Sequence, residues 1–310
     1  MAASASNPTT KQFPIWITSQ PGRHRLSSYK IHSDDARLKH HLIRKLSYKE
    51  DDANRVVKQR TKLLNNTRGL GYFWKKATNE RTRSAEVTRA ILQSIEHSQL
   101  IYMLKYQADV EKYTALHWCA HNKRRNVIQM ILDCCVGEEE CYQLLSITGW
   151  LTGTPLSMSC KVGDTESVRV MLNHINQDML YSLLQIGDMF SDTPLHYASR
   201  EGNVDIMKEI HESVTQTQWI NLVQMKGYGK KTVLQTAANS NKQSSIETIR
   251  ESVSDEEWIQ LLSTPLPEFN KRHHYEVQYQ RAVSVIDELR AEARTASRVK
   301  SSLLITDQSG

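Results

Sequence analysis

The side chains best equipped for chemistry in this 310-residue chain are its twelve histidines and five cysteines. An imidazole can act as acid, base or metal ligand near neutral pH, and a thiolate as nucleophile or ligand. Those roles need neighbours of matching type at set spacings. His40-His41 and His273-His274 are adjacent pairs, and neighbours in a helix or strand point to different faces. Neither pair has Cys, Asp or Glu at a ligand spacing beyond chance. Cys134-Cys135 is a vicinal pair at the end of a helical run, with one thiol expected inward and the other outward; a structural role is favoured there over a redox one. Cys119 and Cys160 fall at small-residue core positions, where cysteine acts as a compact apolar group. The five cysteines fit neither a disulfide framework nor a zinc spacing, which points to reduced, intracellular thiols. A glycine-rich phosphate loop, a Ser/His/Asp set and a carboxylate pair are all missing. A non-catalytic chain without metal or cofactor is expected.

Two of the remaining histidines belong to a pattern. His117 lies in Thr-Ala-Leu-His-Trp-Cys-Ala from Thr114, and His196 in Thr-Pro-Leu-His-Tyr-Ala-Ser from Thr193. Thr-Pro-Leu-Ser-Met-Ser-Cys from Thr154 and Thr-Val-Leu-Gln-Thr-Ala-Ala from Thr232 repeat the phrase with Ser157 and Gln235 in the histidine slot. The four threonines are spaced 40, 39 and 39 residues apart. A second series, Leu144, Leu183, Leu222 and Leu261, is spaced 39 throughout, each followed by Leu or Val. A hydroxyl before a proline or apolar run marks a helix start, and Gly202-Asn203 marks the turn into a second helix. Polar or acidic residues, an aromatic and then the Leu pair read as a third short helix in each unit, with acids complementing its N-terminal dipole.

These residues resemble the ankyrin repeat, whose signature is Thr-Pro-Leu-His-x-Ala; the likeness is strongest over residues 110–250. Two departures stand out. The family period is about 33 residues, so each unit here is longer, as in invertebrate ankyrin-repeat proteins. The glycine common two residues before the threonine is replaced by Lys112, Thr152, Ser191 and Lys230. The resemblance implies an all-α helical solenoid with short hairpin or loop tips, and histidines that tie turns together. It also implies protein binding through the tips and a concave helix face, as a scaffold or adaptor. The candidate contact residues are then Lys112, Tyr113, Trp150, Phe190, Tyr228, Lys230 and Lys231 on the tips, with His121, Lys161 and Arg200 late in the first helices. Each tip carries an aromatic, which serves either a partner or the stiffness of the stack.

The flanks follow from composition. Residues 1–33 have no sustained period and are expected to be disordered. Residues 34–83 read as a basic helical arm, with Leu38, Leu42 and Leu46 on one face and a capping box at Ser47–Glu50, ending in a hinge with aromatics at 69–76. The solenoid is assigned to 84–275, with a divergent N-terminal cap at 84–109 broken near His97-Ser98. A capping helix follows at 276–301, then a disordered tail at 302–310. Residues 1–85 hold 18 Lys and Arg against 6 Asp and Glu, a net of +12, while the remainder holds 22 against 28, a net of −6. The basic arm therefore offers an alternative function, binding to nucleic acid or an anionic surface; against it, acids are interspersed and no nucleic-acid motif appears. A membrane-surface role for the Leu38–Leu64 helices is the least favoured alternative. No run of about 18 apolar residues occurs, and Met1–Pro8 lacks a charged and apolar leader. A cytoplasmic protein is expected, with the nucleus as the alternative.

Overall fold

The computed structural model describes residues 92–107, 112–267 and 276–307, with single positions and short stretches between 36 and 89. The segment expected to be disordered at 1–33, the hinge at 69–76, His273-His274 and the last three residues lie outside them. Within the arm, Leu42 and Ala53 are buried, and Lys39 Nζ meets Glu50 Oε1 at 2.8 Å. Leu38, Leu46 and the Ser47 cap lie outside the described positions.

Among the described residues, the regular structure is helical. Helix α1 (His97–Lys105) precedes four units of three helices. They are α2 (Ala115–His121), α3 (Arg125–Leu132) and α4 (Glu138–Leu145); then α5 (Pro155–Val162), α6 (Thr165–Leu172) and α7 (Gln177–Gln185). Next come α8 (Pro194–Glu201), α9 (Val204–Glu212) and α10 (Gln216–Gln224), and last α11 (Val233–Asn239), α12 (Gln243–Glu251) and α13 (Asp255–Ser263). Helix α14 (Glu276–Asp307) closes the array, running on past residue 301, where the sequence suggested a stop. Its apolar face, carrying Ala282 and Ile286, meets α11 and α13.

Capping explains where these helices begin. Thr114, Thr154, Thr193 and Thr232 are the N-caps of the four first helices, and proline stands at the start of α5 and α8, where its missing N–H has no partner to lose. The third helices α7, α10 and α13 are capped by Asn176, Thr215 and Ser254, whose side chains accept from the amides of Met179, Gln218 and Glu257. Between first and second helices the chain turns through a left-handed residue in every unit: Lys123, Gly163, Gly202 and Asn241.

Units stack through like helices. The first helices pack α2 on α5, α5 on α8, and α8 on α11, with α14 occupying the next place. The second helices stack in parallel register, α3 to α6 to α9 to α12. The leucine two residues after each threonine (Leu116, Leu156, Leu195, Leu234) is buried in this stack. Each unit hides its apolar stripe only against its neighbours, the arrangement of a repeat solenoid.

Two readings need correction, one in the third helix and one in the N-terminal cap. The structure assigns the buried slot three residues before the Leu pair, where Cys141, Leu180, Trp219 and Trp258 stand. Tyr142 and Tyr181 sit one position later and are only half-buried, so they are not the counterparts of the two tryptophans. A helix turns by 100° per residue, enough to move a ring from core to flank. The N-terminal cap also differs: the break lies at residues 94–96 rather than at His97-Ser98. Helix α1 is in register with the third helices, which begin at 138, 177, 216 and 255. Accordingly His97 Nε2 meets Glu140 Oε1 at 3.1 Å and Lys105 Nζ donates to Gln143 at 2.8 Å, both on α4.

Candidate functional site

The histidines lie in the frame. The Thr114 amide donates to His117 Nδ1 at 3.2 Å, with the Thr114 hydroxyl on the same nitrogen at 2.8 Å. Nδ1 therefore accepts, and the proton on Nε2 is donated to the Gly153 carbonyl of the next unit at 2.9 Å. His196 repeats this on Thr193 and reaches the Lys231 carbonyl at 3.2 Å. Gln235 reproduces it with an amide, donating to the carbonyls of Thr264 and Pro265 at 3.2 Å. Ser157 is too short for this reach; its hydroxyl stays 3.2 Å from Thr154 Oγ1. Burial holds the His196 imidazole below its ordinary pKa of 6.5, the nearby Asp192 charge opposing in part. A neutral, buried, doubly bonded ring is a bracket between units.

Just before each threonine the chain makes a short tip. Backbone bonds close three of them: Gly149 N to Gly153 O at 2.7 Å, Asp188 N to Asp192 O at 3.0 Å, and Gly227 N to Lys231 O at 2.9 Å. The positions lacking the family's glycine retain its backbone: Lys112, Ser191 and Lys230 have φ of 54°, 68° and 58°. In the second unit the left-handed residue moves one place on, to Gly153, and Thr152 is relieved of it.

A buried polar network that sequence reasoning missed knits these tips together. Tyr197 on α8 donates its hydroxyl to Asp188 Oδ2 at 2.6 Å, with the Leu151 carbonyl of the preceding tip at 3.1 Å. Asp188 Oδ1 accepts from the amides of Phe190 and Asp192. The buried Asp192 carboxylate accepts from Arg200 Nη2 at 2.5 Å and from the Tyr228 amide of the following tip at 2.8 Å. Gly227 is required by this packing, because a Cβ there would stand 2.3 Å from Asp192 Oδ1 and 2.8 Å from His196 Nε2. The carboxylates beside Thr193 were the available signal, but pairing depends on residues of adjacent units.

The candidate contact residues separate into two groups. Tyr113 is 9% exposed, stacked on His117 with ring centroids 5.2 Å apart and accepting from Thr152 Oγ1 at 3.0 Å, so it belongs to the frame rather than the surface. Arg200 is committed to Asp192 and lies 5.5 Å from the Tyr197 ring. Lys231 is half-buried, and burial lowers its pKa. Tyr228 is half-buried and meets Phe190 edge-on at 5.4 Å. By contrast Trp150 and Phe190 are 50% and 45% exposed, and their chain neighbours Leu151 and Met189 are 48% and 53% exposed. Lys112, His121, Lys161 and Lys230 are exposed as well, Lys161 standing 5.8 Å over the Tyr197 ring and His121 edge-on to Trp118.

The cysteines sort by depth. Cys119 and Cys160 are buried, which pushes their thiol pKa far above the ordinary range. Cys134 and Cys135 are both half-buried rather than one inward and one outward; Cys135 Sγ donates to the Ile131 carbonyl at 3.8 Å and Cys141 Sγ to the Leu132 carbonyl at 3.6 Å. Among the described residues, no three His, Cys, Asp or Glu side chains converge on a metal site, and no helix is long and apolar enough to cross a membrane.

The family model for the ankyrin repeat matches residues 191–214, which cover the Thr193 cap, α8 and all of α9. No curated protein matches the chain. That matched helix pair returns at intervals of 39 or 40 residues on both sides and is stacked like on like, so the chain carries an ankyrin repeat at residues 191–214 within an array of helix pairs of the same build.

Proposed function

We propose that the protein is a non-catalytic scaffold or adaptor that binds other proteins through its repeat tips and the adjoining first helices. Ankyrin repeats generally mediate protein–protein interaction. The reading rests chiefly on one observation: Trp150, Leu151, Met189 and Phe190 expose about half of their surface on two neighbouring tips. Clustered apolar surface of this kind marks interaction sites, and rigid aromatics anchor interfaces at small entropic cost. The histidines that might have argued for chemistry are occupied as structural brackets. A cytoplasmic setting suits the five free cysteines.

The test is a cross-linking pull-down from native extract with the wild-type chain and with Trp150→Ala/Phe190→Ala. Both side chains are half exposed, so circular dichroism and melting should be nearly unchanged, while recovery of the specific partner should fall about tenfold or more. Equal recovery by a folded double variant would remove the tips from the binding site.

A further inference from the structure

We propose that the tips of the second and third units select an acidic segment of a partner protein that carries an apolar side chain at about every third residue. The inference rests on the tip-binding reading above and adds the chemistry of the partner. Four of the eight large apolar side chains exposed among the described residues stand on these two tips. Phe190 is held in place by the edge of Tyr228 and by the Asp188 carboxylate on its amide, so this part of the surface is formed before a partner arrives.

Among the described residues, charge at the tips is one-sided. There the tip carboxylates, Asp188 and Asp192, are turned inward and saturated by Tyr197, Arg200 and backbone amides. Lys112, Lys161 and Lys230 are exposed and make no ion pair among the described residues; Glu201, at the end of α8, is the nearest exposed acid in the sequence of that unit. A cationic rim here stands on a body that is acidic in net charge, since residues 86–310 hold 22 basic against 28 acidic residues. Six of those acids lie in the first turns of two third helices, at Glu138–Glu140 and Asp255–Glu257, about 12 Å of helix away from the tips. An acidic partner is thus attracted to the tips and repelled from the far ends of the third helices.

Spacing supplies the rest. Stacked helices lie about 8–10 Å apart, so consecutive tips recur at about that distance. An extended chain advances about 3.3 Å per residue, which places one anchor per tip at about every third residue. Single-stranded nucleic acid also seeks cations and aromatics, but it needs open ring faces for base stacking. Here one ring is engaged edge-on, and the other two exposed apolar side chains of these tips, Leu151 and Met189, have no ring face to offer, so a peptide fits better.

The experiment is a selection from a phage-displayed library of random 12-residue peptides against the full chain. Parallel selections use Trp150→Ala/Phe190→Ala and the charge reversal Lys112→Glu/Lys161→Glu/Lys230→Glu, each checked for unchanged melting. The expected result is a pool enriched about threefold or more in Asp and Glu over the naive library, with apolar residues at a spacing of about three. The charge-reversed chain should select basic peptides instead, and the apolar double variant should lose about tenfold in captured phage. A pool that depends on Trp150 and Phe190 yet shows no acidic excess overturns the acidic partner while leaving tip binding in place. A pool indifferent to the double variant, or no selected pool, overturns both. Fluorescence anisotropy with oligo(dT) is the remaining arm: tight binding lost in the double variant would replace the peptide with a nucleic acid.

Discussion

The junction between the second and third units and the junction between the third and fourth are built from the same phrase but held differently. At the later junction His196 reaches the Lys231 carbonyl, Asp192 binds Arg200 and the Tyr228 amide, and Gly227 lets the two tips close to contact. At the earlier one Ser157 stops at Thr154, so nothing from the histidine slot crosses; there the Tyr197 hydroxyl stands 3.1 Å from the Leu151 carbonyl, Asn203 donates to the Cys160 carbonyl at 2.7 Å and Arg169 pairs with Glu209. The junction without the histidine-slot bracket is also the one whose tips expose Trp150, Leu151, Met189 and Phe190. In a solenoid each interface contributes its own share of stability. One junction can therefore give up a bracket and present apolar surface while its neighbours keep the array folded.

The sharpest way to break the comparison is Asp192→Ala. It strands the Arg200 guanidinium and the Tyr228 amide at the later junction, and removing one partner of a buried pair costs about 3 kcal/mol. Urea denaturation should show that loss, and hydrogen exchange should quicken first around Tyr228. A loss under about 1 kcal/mol would mean that Asp192 is dispensable to the bracket. Tyr197→Phe addresses the earlier junction. It deletes one donor and leaves Asp188 Oδ2 short of a partner, a cost of about 1–2 kcal/mol. Exchange should accelerate at the tips of the second and third units and stay unchanged at the fourth.

His196→Gln separates the bracket from its titration. Burial holds the imidazole pKa below 6.5, so as pH falls the unfolded chain takes up this proton before the folded chain does. The stability due to neutral His196 is complete above pH 6.5 and drains away as pH falls from 6.5 towards the folded value. Glutamine already performs the same bonding at Gln235. The variant should therefore stay within about 1 kcal/mol of wild type at pH 7.5 and lose less than wild type between pH 7.5 and 5. A wild-type fall no steeper than that of the variant would contradict the buried neutral ring.

Much of this was legible in sequence because it is local. A threonine cap, a proline at the first helical position and a paired leucine at constant spacing act within one turn of their own helix, so the three-helix unit and its register could be read directly. What could not be read depends on partners about 40 residues away. Tyr113 looked like the other tip aromatics until Thr152 and His117 placed it inside. Asp192 carried no reading from sequence, because its partners are Arg200 and the amide of the next tip. The third-helix slot was misread in two units because Cys141 and Leu180 hold the place that tryptophans hold in the other two. The tip candidates are therefore only partly separable by residue type: Trp150 and Tyr113 share a chemistry and differ in what the neighbouring unit puts against them.

The smallest expected effect bears on why the tips lack the family's glycine. Ser191 and Lys230 sit at φ 68° and 58°, a conformation that costs an L-residue about 1–2 kcal/mol. Glycine would relieve that strain but adds about 0.4–1 kcal/mol of freedom to the unfolded chain. Ser191→Gly and Lys230→Gly should therefore each stabilise the fold by about 0.5 kcal/mol, readable as a small rise in the urea midpoint at unchanged slope. Strain retained where a cheaper residue fits points to work done by the side chain. For Lys230, which stands exposed on its tip, the proposed acidic partner makes that work a contact to be tested. Lys230→Gly should then raise stability and weaken capture of acidic peptides in the same molecule, whereas Ser191→Gly should raise stability and leave capture intact. Equal capture by both would make the left-handed lysine a tolerated cost of the turn rather than part of the binding surface.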